Sequence, residues 1–243
     1  MQTAIAPDTN TRTRQLKIGG IVPFSTSDYP GKLAAVVFVQ GCPWKCTYCH
    51  NPHLQARTET GATPWEEVIA MLMRRAGLLD AVVFSGGEPT IDPALENVIS
   101  EVRKIGFQVG LHTGGAYPKR LTEILPLVDW VGIDIKAPFA DYERITDISG
   151  SGEQALACAE AVIASGIAHE FRTTIHPKLI SAEALLRLAQ TLSMMGVQNY
   201  ALQVFRKTGC DNETLDVVGG EYPPTELVVK IAGMFKRFTL RDT

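Results

Sequence analysis

No stretch of this sequence is apolar for long enough to cross a bilayer. The longest strand-like apolar run, LAAVVFV at 33–39, falls far short of the ~20 residues a membrane helix needs. Basic charge is not in surplus either. Lys and Arg number 23 against 26 Asp and Glu, and a net charge of −3 gives no electrostatic reason to expect nucleic acid. A disulfide framework is also missing. The five cysteines are an odd count, and three of them crowd into positions 42–49. A chain of 243 residues buries a core without disulfide staples. In a reducing compartment such a cluster reads as metal binding or catalysis. The N-terminus, MQTAIAPDTNTRTRQLK, has no apolar stretch long enough for a signal peptide. The expectation is a cytoplasmic protein with a disordered tail at 1–14 and a single domain over 15–243.

From residue 33 onward, strand-like and helix-like segments alternate. LAAVVFVQ (33–40) is the continuous Val-rich run of a strand buried on both faces. PWEEVIAMLMRRA (64–76) opens with Pro, carries acids early and arginines late, and so predicts a helix matched to its dipole. Strands are expected at 81–87, 107–113, 129–138, 168–177 and 199–205. Helices are expected at 93–106, within 118–128, and at 152–166, 181–196 and 223–238, with a short one at 141–147. Six β/α units in order imply a parallel sheet with right-handed crossovers. Periodicity fits both an open six-stranded barrel and a doubly wound sheet.

The unusual residues sit at the carboxyl ends of the expected strands. Cys42 to Cys49 follow the first, GGEP (86–89) the second and HTGG (112–115) the third. DIK (134–136) ends the fourth, and Gln203 to Arg206 end the sixth. Ligands of parallel α/β folds bind outside these ends, so five stretches can converge on one site.

Cys42, Cys46 and Cys49 are spaced C-x3-C-x2-C. Three thiolates can hold three irons of a [4Fe–4S] cube and leave the fourth open for chemistry, whereas ligation by four cysteines suits electron transfer. Zinc with His50 or His53 as a fourth ligand is the alternative, and inert thiols are another. Trp44 and Lys45, within the cysteine loop, are expected by default to be solvated, the alternative being that they cover the cluster or meet an electron donor.

C-x3-C-x-(aromatic)-C after a first strand, with Tyr48 as the aromatic, resembles the signature of radical S-adenosylmethionine enzymes. That resemblance implies a partial (β/α)6 barrel with a [4Fe–4S] cluster and S-adenosylmethionine as cofactors. Gly86, Gly87 and Glu88 then resemble the motif that receives the ligand's amino group; glycines let backbone approach closely and a carboxylate suits an ammonium. DYPGKLAAVVFVQGCPWKCTYCHNP (28–52), LHTGG (111–115) and DIK narrow the resemblance to glycyl-radical activating enzymes. Thr113, Asp134 and Lys136 are implied as further cofactor contacts, with Arg206 where the pyruvate formate-lyase activators have His. His112 stands where those activators have Asp. SxxDYPGK and LQxFR look most like anaerobic ribonucleoside-triphosphate reductase activating proteins. The implied partners are that reductase and a flavodoxin- or ferredoxin-like electron donor. Alternatives are another glycyl-radical enzyme, a small-molecule radical reaction such as deazapurine synthesis, or a non-catalytic zinc or iron–sulfur adaptor. Cys158 and Cys210, isolated from the cluster, make a second cluster unexpected.

Overall fold

The structure, a computed structural model, describes residues 15–58, 61–220 and 222–242; the tail expected at 1–14 lies outside them. Eight strands form one sheet whose spatial order is their sequence order. β1 (Ile18–Ser25) runs antiparallel to β2 (Ala34–Val39). β3 (Ala81–Gly86), β4 (Gln108–Thr113), β5 (Trp130–Asp134), β6 (Ala168–Ile175), β7 (Asn199–Val204) and β8 (Arg237–Arg241) follow in parallel. A doubly wound sheet reverses its strand order at a switch point, and this one never does. β2 to β7 with their crossovers form the partial (β/α)6 barrel, and β1 and β8 are its open edges.

The crossover segments are α1 (Trp65–Met73), α2 (Leu95–Ile105), α3 (Pro118–Ile124), α4 (Tyr142–Thr146) with α5 (Ser151–Ser165), and α6 (Ala182–Met194); α7 (Thr225–Ala232) leads to β8. Their ends follow local chemistry. The Ser181 hydroxyl accepts the Ala184 N–H at the start of α6. Gly106, at φ 107°, ends α2 in the left-handed conformation.

Both edge strands escape the sequence pattern. β1 carries Gly19, Gly20 and Pro23, all poor strand formers, and the register slips between Val22 and Ser25, where a missing N–H is tolerated. The helix expected over 223–238 stops at Ala232, and residues 237–241 pair with β7 instead. The free edge of β7 supplies a ladder that local helix propensity does not outweigh.

Alternation along the strands sorts two cores. Val37, Phe84, Leu111 and Ile133 face outward and are buried with Leu95, Leu121, Val162 and Leu188 of the helices. Ala34, Val36, Ala81 and Val83 face the interior with Tyr29 and Trp130. Tyr29 is delivered by the turn Tyr29-Pro30-Gly31-Lys32, closed by Lys32 N–H donating to the Tyr29 carbonyl (3.0 Å), with Gly31 at φ 74°. Its ring stacks on Trp130 at 5.2 Å. A side chain at Gly110 would press on both Val83 and Tyr29 (3.0 and 3.1 Å), so glycine there leaves room for the aromatic plug. Further along the same strands the interior positions turn polar: His112, Asp134, Arg172, Thr174 and Gln203. The barrel is filled at its amino end and polar at its mouth.

β8 is tied to the interior by Arg241, 2.9 Å from Glu170 on β6. Glu170 is buried, whereas 28% of the Arg241 side chain is exposed. Arg241→Leu strands a buried carboxylate and is expected to cost roughly 1–3 kcal/mol, less than a fully buried pair because Arg241 is partly solvated. Glu170→Gln with Arg241→Leu is expected to recover most of it. Urea melts of both variants check this; an unchanged midpoint for Arg241→Leu would show that backbone pairing alone holds β8.

Candidate active site at the barrel mouth

The cysteine loop is short but pinned. Gly41 N–H donates to Leu54 O (2.8 Å), Lys45 N–H to Thr146 O (2.9 Å) and Thr47 N–H to Ile145 O (3.0 Å). Its Trp44 is buried rather than solvated, correcting the sequence expectation; Lys45 is exposed, as expected. The Trp44 ring meets Tyr142 edge-on at 5.7 Å, and a Cβ at Gly114 would touch it at 3.0 Å. Packing against α4 and the β4 loop outweighs solvation because Trp carries the largest apolar surface in the loop.

Cys42, Cys46 and Cys49 are free and half-buried, and they line one cavity of about 190 Å3. Tyr48, Gly86, Gly87, Glu88, Thr113, Asp134 and Lys136 line it too. Among the proposed cofactor contacts Arg206 alone does not; it lines a neighbouring cavity. Cys158 and Cys210 are buried elsewhere. Burial pushes the Cys42 thiol up to about 12 and raises Cys46 as well. Cluster binding must therefore displace their protons.

The glycines act on protein backbone. A Cβ at Gly86, where φ is 121°, would lie 2.4 Å from Val39 N and O. A Cβ at Gly87 would lie 2.3 Å from Gly41 O. The end of β3 thus packs directly on the root of the cysteine loop, and Glu88 N–H donates to Gly41 O (2.8 Å).

The Glu88 side chain is buried. Its carboxylate accepts from the Thr90 hydroxyl (2.6 Å), the Thr113 hydroxyl (2.9 Å to each oxygen) and Gly114 N–H (2.9 Å). It joins the β3 and β4 ends into one wall.

Lys136 runs past Gly114, and its Nζ sits over the Tyr48 ring, 5.6 Å from its centroid. Burial disfavours its charge, but Tyr48, Cys46 and Asp134 around it outweigh burial and raise its pKa. β5 ends at Asp134, so Lys136 lies just past the strand, its N–H bound to the Tyr142 hydroxyl (2.9 Å). Burial opposes ionisation of Asp134 too; Arg172, with Lys136 and His112, reverses this and holds the carboxyl below its ordinary value.

Arg172 escaped the sequence reading. Its Nε donates to Asp134 Oδ1 at 2.9 Å. The available signal was an arginine two positions from a glutamate in β6, so that both charges share one face of the strand. His112 donates from Nε2 to the Asp28 carbonyl (2.7 Å), with Arg172 Nη1 3.4 Å away. Burial, then Arg172, lowers its pKa to about 4. It is a neutral imidazole that ties the loop at Asp28 to β4. His176, given no role from sequence, accepts Lys178 N–H on Nδ1 and punctuates the end of β6.

Among the described residues no three Cys, His, Asp or Glu side chains converge on a single ion. His50, with His53 one of the two candidate ligands of the zinc alternative, has Nε2 on the Arg206 carbonyl (2.9 Å) and stacks on Phe205. Thiolates that each hold a different iron of a cube need not converge. Trp44 Nε1, buried without a protein partner, is a donor awaiting an acceptor. The donor set fits the cluster.

The profile of the radical SAM superfamily matches residues 36–199. The chain belongs to the radical SAM superfamily. A Methanocaldococcus jannaschii protein provisionally named a glycyl-radical enzyme activating enzyme is 34% identical over 207 residues, spanning 81% of this chain and 83% of that one. Pyruvate formate-lyase-activating enzyme of Clostridium pasteurianum is 30% identical over 177 residues, 70% and 73% of the two chains. The crystal structure of QueE from Escherichia coli superposes with a TM-score of 0.55 at 18% identity, over 94% of this chain and 95% of that one, which shows the fold alone. This radical SAM protein is thus an enzyme of the glycyl-radical activating group, with a [4Fe–4S] cluster and S-adenosylmethionine as cofactors. That sets aside the non-catalytic adaptor. No helix among the described residues is long and apolar enough to cross a membrane.

Two expectations follow. Alanine at Cys42, Cys46 or Cys49 is expected to abolish cluster assembly, while alanine at Cys158 or Cys210 leaves it intact. Iron and sulfide content after anaerobic reconstitution checks this, and a full cluster in Cys46→Ala would refute it. The second concerns His112. The unfolded imidazole protonates near 6.5, the folded one near 4. Stability is therefore complete above pH 6.5 and falls as pH drops from 6.5 towards 4, by on the order of 3 kcal/mol from this residue. His112→Asn is expected to flatten that acid slope in urea melts; an unchanged slope would show that His112 already titrates normally when folded.

Proposed function

We propose that this enzyme activates an anaerobic (class III) ribonucleoside-triphosphate reductase by removing a hydrogen atom from a backbone glycine of that protein. The reductase is left with a glycyl radical, the oxidant it stores for ribonucleotide reduction. When bound, the reduced cluster supplies one electron that splits S-adenosylmethionine into methionine and a 5′-deoxyadenosyl radical, which takes up the hydrogen as 5′-deoxyadenosine. The chain's own residues bind and orient. Lys136 offers its ammonium to the cofactor's carboxylate, and Asp134 and the Gly86–Gly87 backbone offer acceptors to its ammonium and ribose. Glu88 holds that backbone in place. Lys45, exposed in the cysteine loop, offers a cation to an acidic flavodoxin- or ferredoxin-like donor.

One observation carries the choice of partner. The two stretches that resemble reductase activators, SxxDYPGK and LQxFR, meet in space. Ser27 and Asp28 of the first line a cavity with Gln203, Val204 and Arg206 of the second, and this cavity shares His50, Thr174 and Gln203 with the cysteine cavity. A partner loop entering there reaches the cofactor. The likeness to the Clostridium pasteurianum enzyme favours pyruvate formate-lyase as a second acceptor.

The test is electron paramagnetic resonance of the reduced enzyme mixed with S-adenosylmethionine and a class III reductase from the same source. A glycyl doublet that collapses when the glycine carries deuterium at Cα, with deuterium recovered in 5′-deoxyadenosine, is the expected result. A doublet on pyruvate formate-lyase alone would move the assignment to that partner. If 5′-deoxyadenosine forms without a radical on either protein, a small-molecule substrate takes their place.

A further inference from the structure

The neighbouring cavity, about 220 Å3, differs in chemistry from the one beside the cysteines. Three guanidiniums line it: Arg172 on β6, Arg206 just after β7 and Arg241 on β8. Arg172 is engaged by Asp134 and almost fully buried. Arg241 is held from behind by Glu170 and keeps part of its side chain in the open. Arg206 is exposed, and among the described residues no carboxylate pairs with it. The acid in the lining, Asp28, accepts from the Ser25 hydroxyl and lies against His112. Thr174 and Gln203 add groups that can bond a peptide backbone. A cavity with an unpaired arginine beside a braced one is built for an anion.

We propose that this cavity binds a carboxylate of the hydrogen-donating chain, held by Arg206 and Arg241, and thereby sets the donor glycine over the cofactor. This deepens the reading of a protein substrate given above and rests on it. Two sources offer the same chemistry: an acidic side chain near the glycine, or the C-terminal carboxylate of the partner chain. The braced geometry explains the role of β8. Without that strand Arg241 would not reach the interior, and Glu170 would be buried alone.

The test is calorimetry on the anaerobic, cluster-loaded enzyme with S-adenosylmethionine present. Four probes are used: acetyl-Gly-Gly-Glu-amide, acetyl-Gly-Gly-Gln-amide, acetyl-Gly-Gly-Gly with a free carboxylate, and its amide. At least one acid is expected to bind about tenfold or more tightly than its uncharged counterpart. The pair that shows the difference identifies the source. Arg206→Gln, at an exposed and unpaired position, is expected to abolish the preference. Arg241→Gln made together with Glu170→Gln, which leaves no buried charge stranded, is expected to weaken it. Equal binding of acid and amide in both pairs overturns the proposal, as does the absence of binding by every probe. So does an acid preference that survives in Arg206→Gln while cofactor affinity falls, since that assigns Arg206 to the cofactor. The glycyl-radical reading fails separately, by the lack of deuterium transfer from the reductase; acid preference is read from binding alone.

Discussion

The site depends on one buried carboxylate. Glu88 is shut from solvent, yet it receives hydroxyl and N–H donors from Thr90, Thr113 and Gly114. A carboxylate so placed is tolerable only because its oxygens are satisfied. In return it locks the end of β3 to the end of β4. The preceding Gly86 and Gly87 lie so close to Val39 and Gly41 that the root of the cysteine loop is fixed by the same unit. Three chain segments far apart in sequence thus acquire one geometry. Displacing Glu88 would disturb both the cysteine loop and the wall of the cysteine cavity.

The barrel interior is divided by side-chain size and polarity. Small residues on β2, β3 and β4 make room for Tyr29 and Trp130, which seal the amino end. Above them His112, Arg172 and Asp134 form a polar layer whose charges compensate one another. His112 stays neutral because burial and the neighbouring guanidinium both oppose a second positive charge. The layer thereby joins the turn at Asp28 to Asp134 in the lining of the cysteine cavity. The proposed recognition loop and the proposed cofactor wall are tied by packing and hydrogen bonds.

The two cavities differ in chemistry. One is lined by thiols, a braced carboxylate and a charged lysine, and is the proposed cofactor site. The other is lined by arginines, amide and hydroxyl groups, and is the proposed place of the donor. They share His50, Thr174 and Gln203. Radical transfer requires the reacting atoms to be held close together, so positioning by remote contacts contributes directly to rate.

Much of this was legible in the chain alone. The C-x3-C-x2-C spacing, the GGEP turn and the β/α alternation depend on local chemistry, and a resemblance to known enzymes could be read from them. The structure gathers every proposed cofactor contact but Arg206 into the cysteine cavity. What the sequence left open was decided by distance. Strand order separated a barrel from a doubly wound sheet, because periodicity reports which face of a strand is buried and never which strand lies beside it. β1 and β8 were hidden for the same reason: their residues are poor or ambiguous strand formers, and only the free edges of β2 and β7 make them strands. Trp44 looked like a solvated loop residue until α4 and Gly114 closed over it. The meeting of Arg172 with Asp134, and the opening of Arg206 and Arg241 onto one cavity, belong wholly to the tertiary fold, since side chains from separate strands acquire a common environment only when the sheet curls.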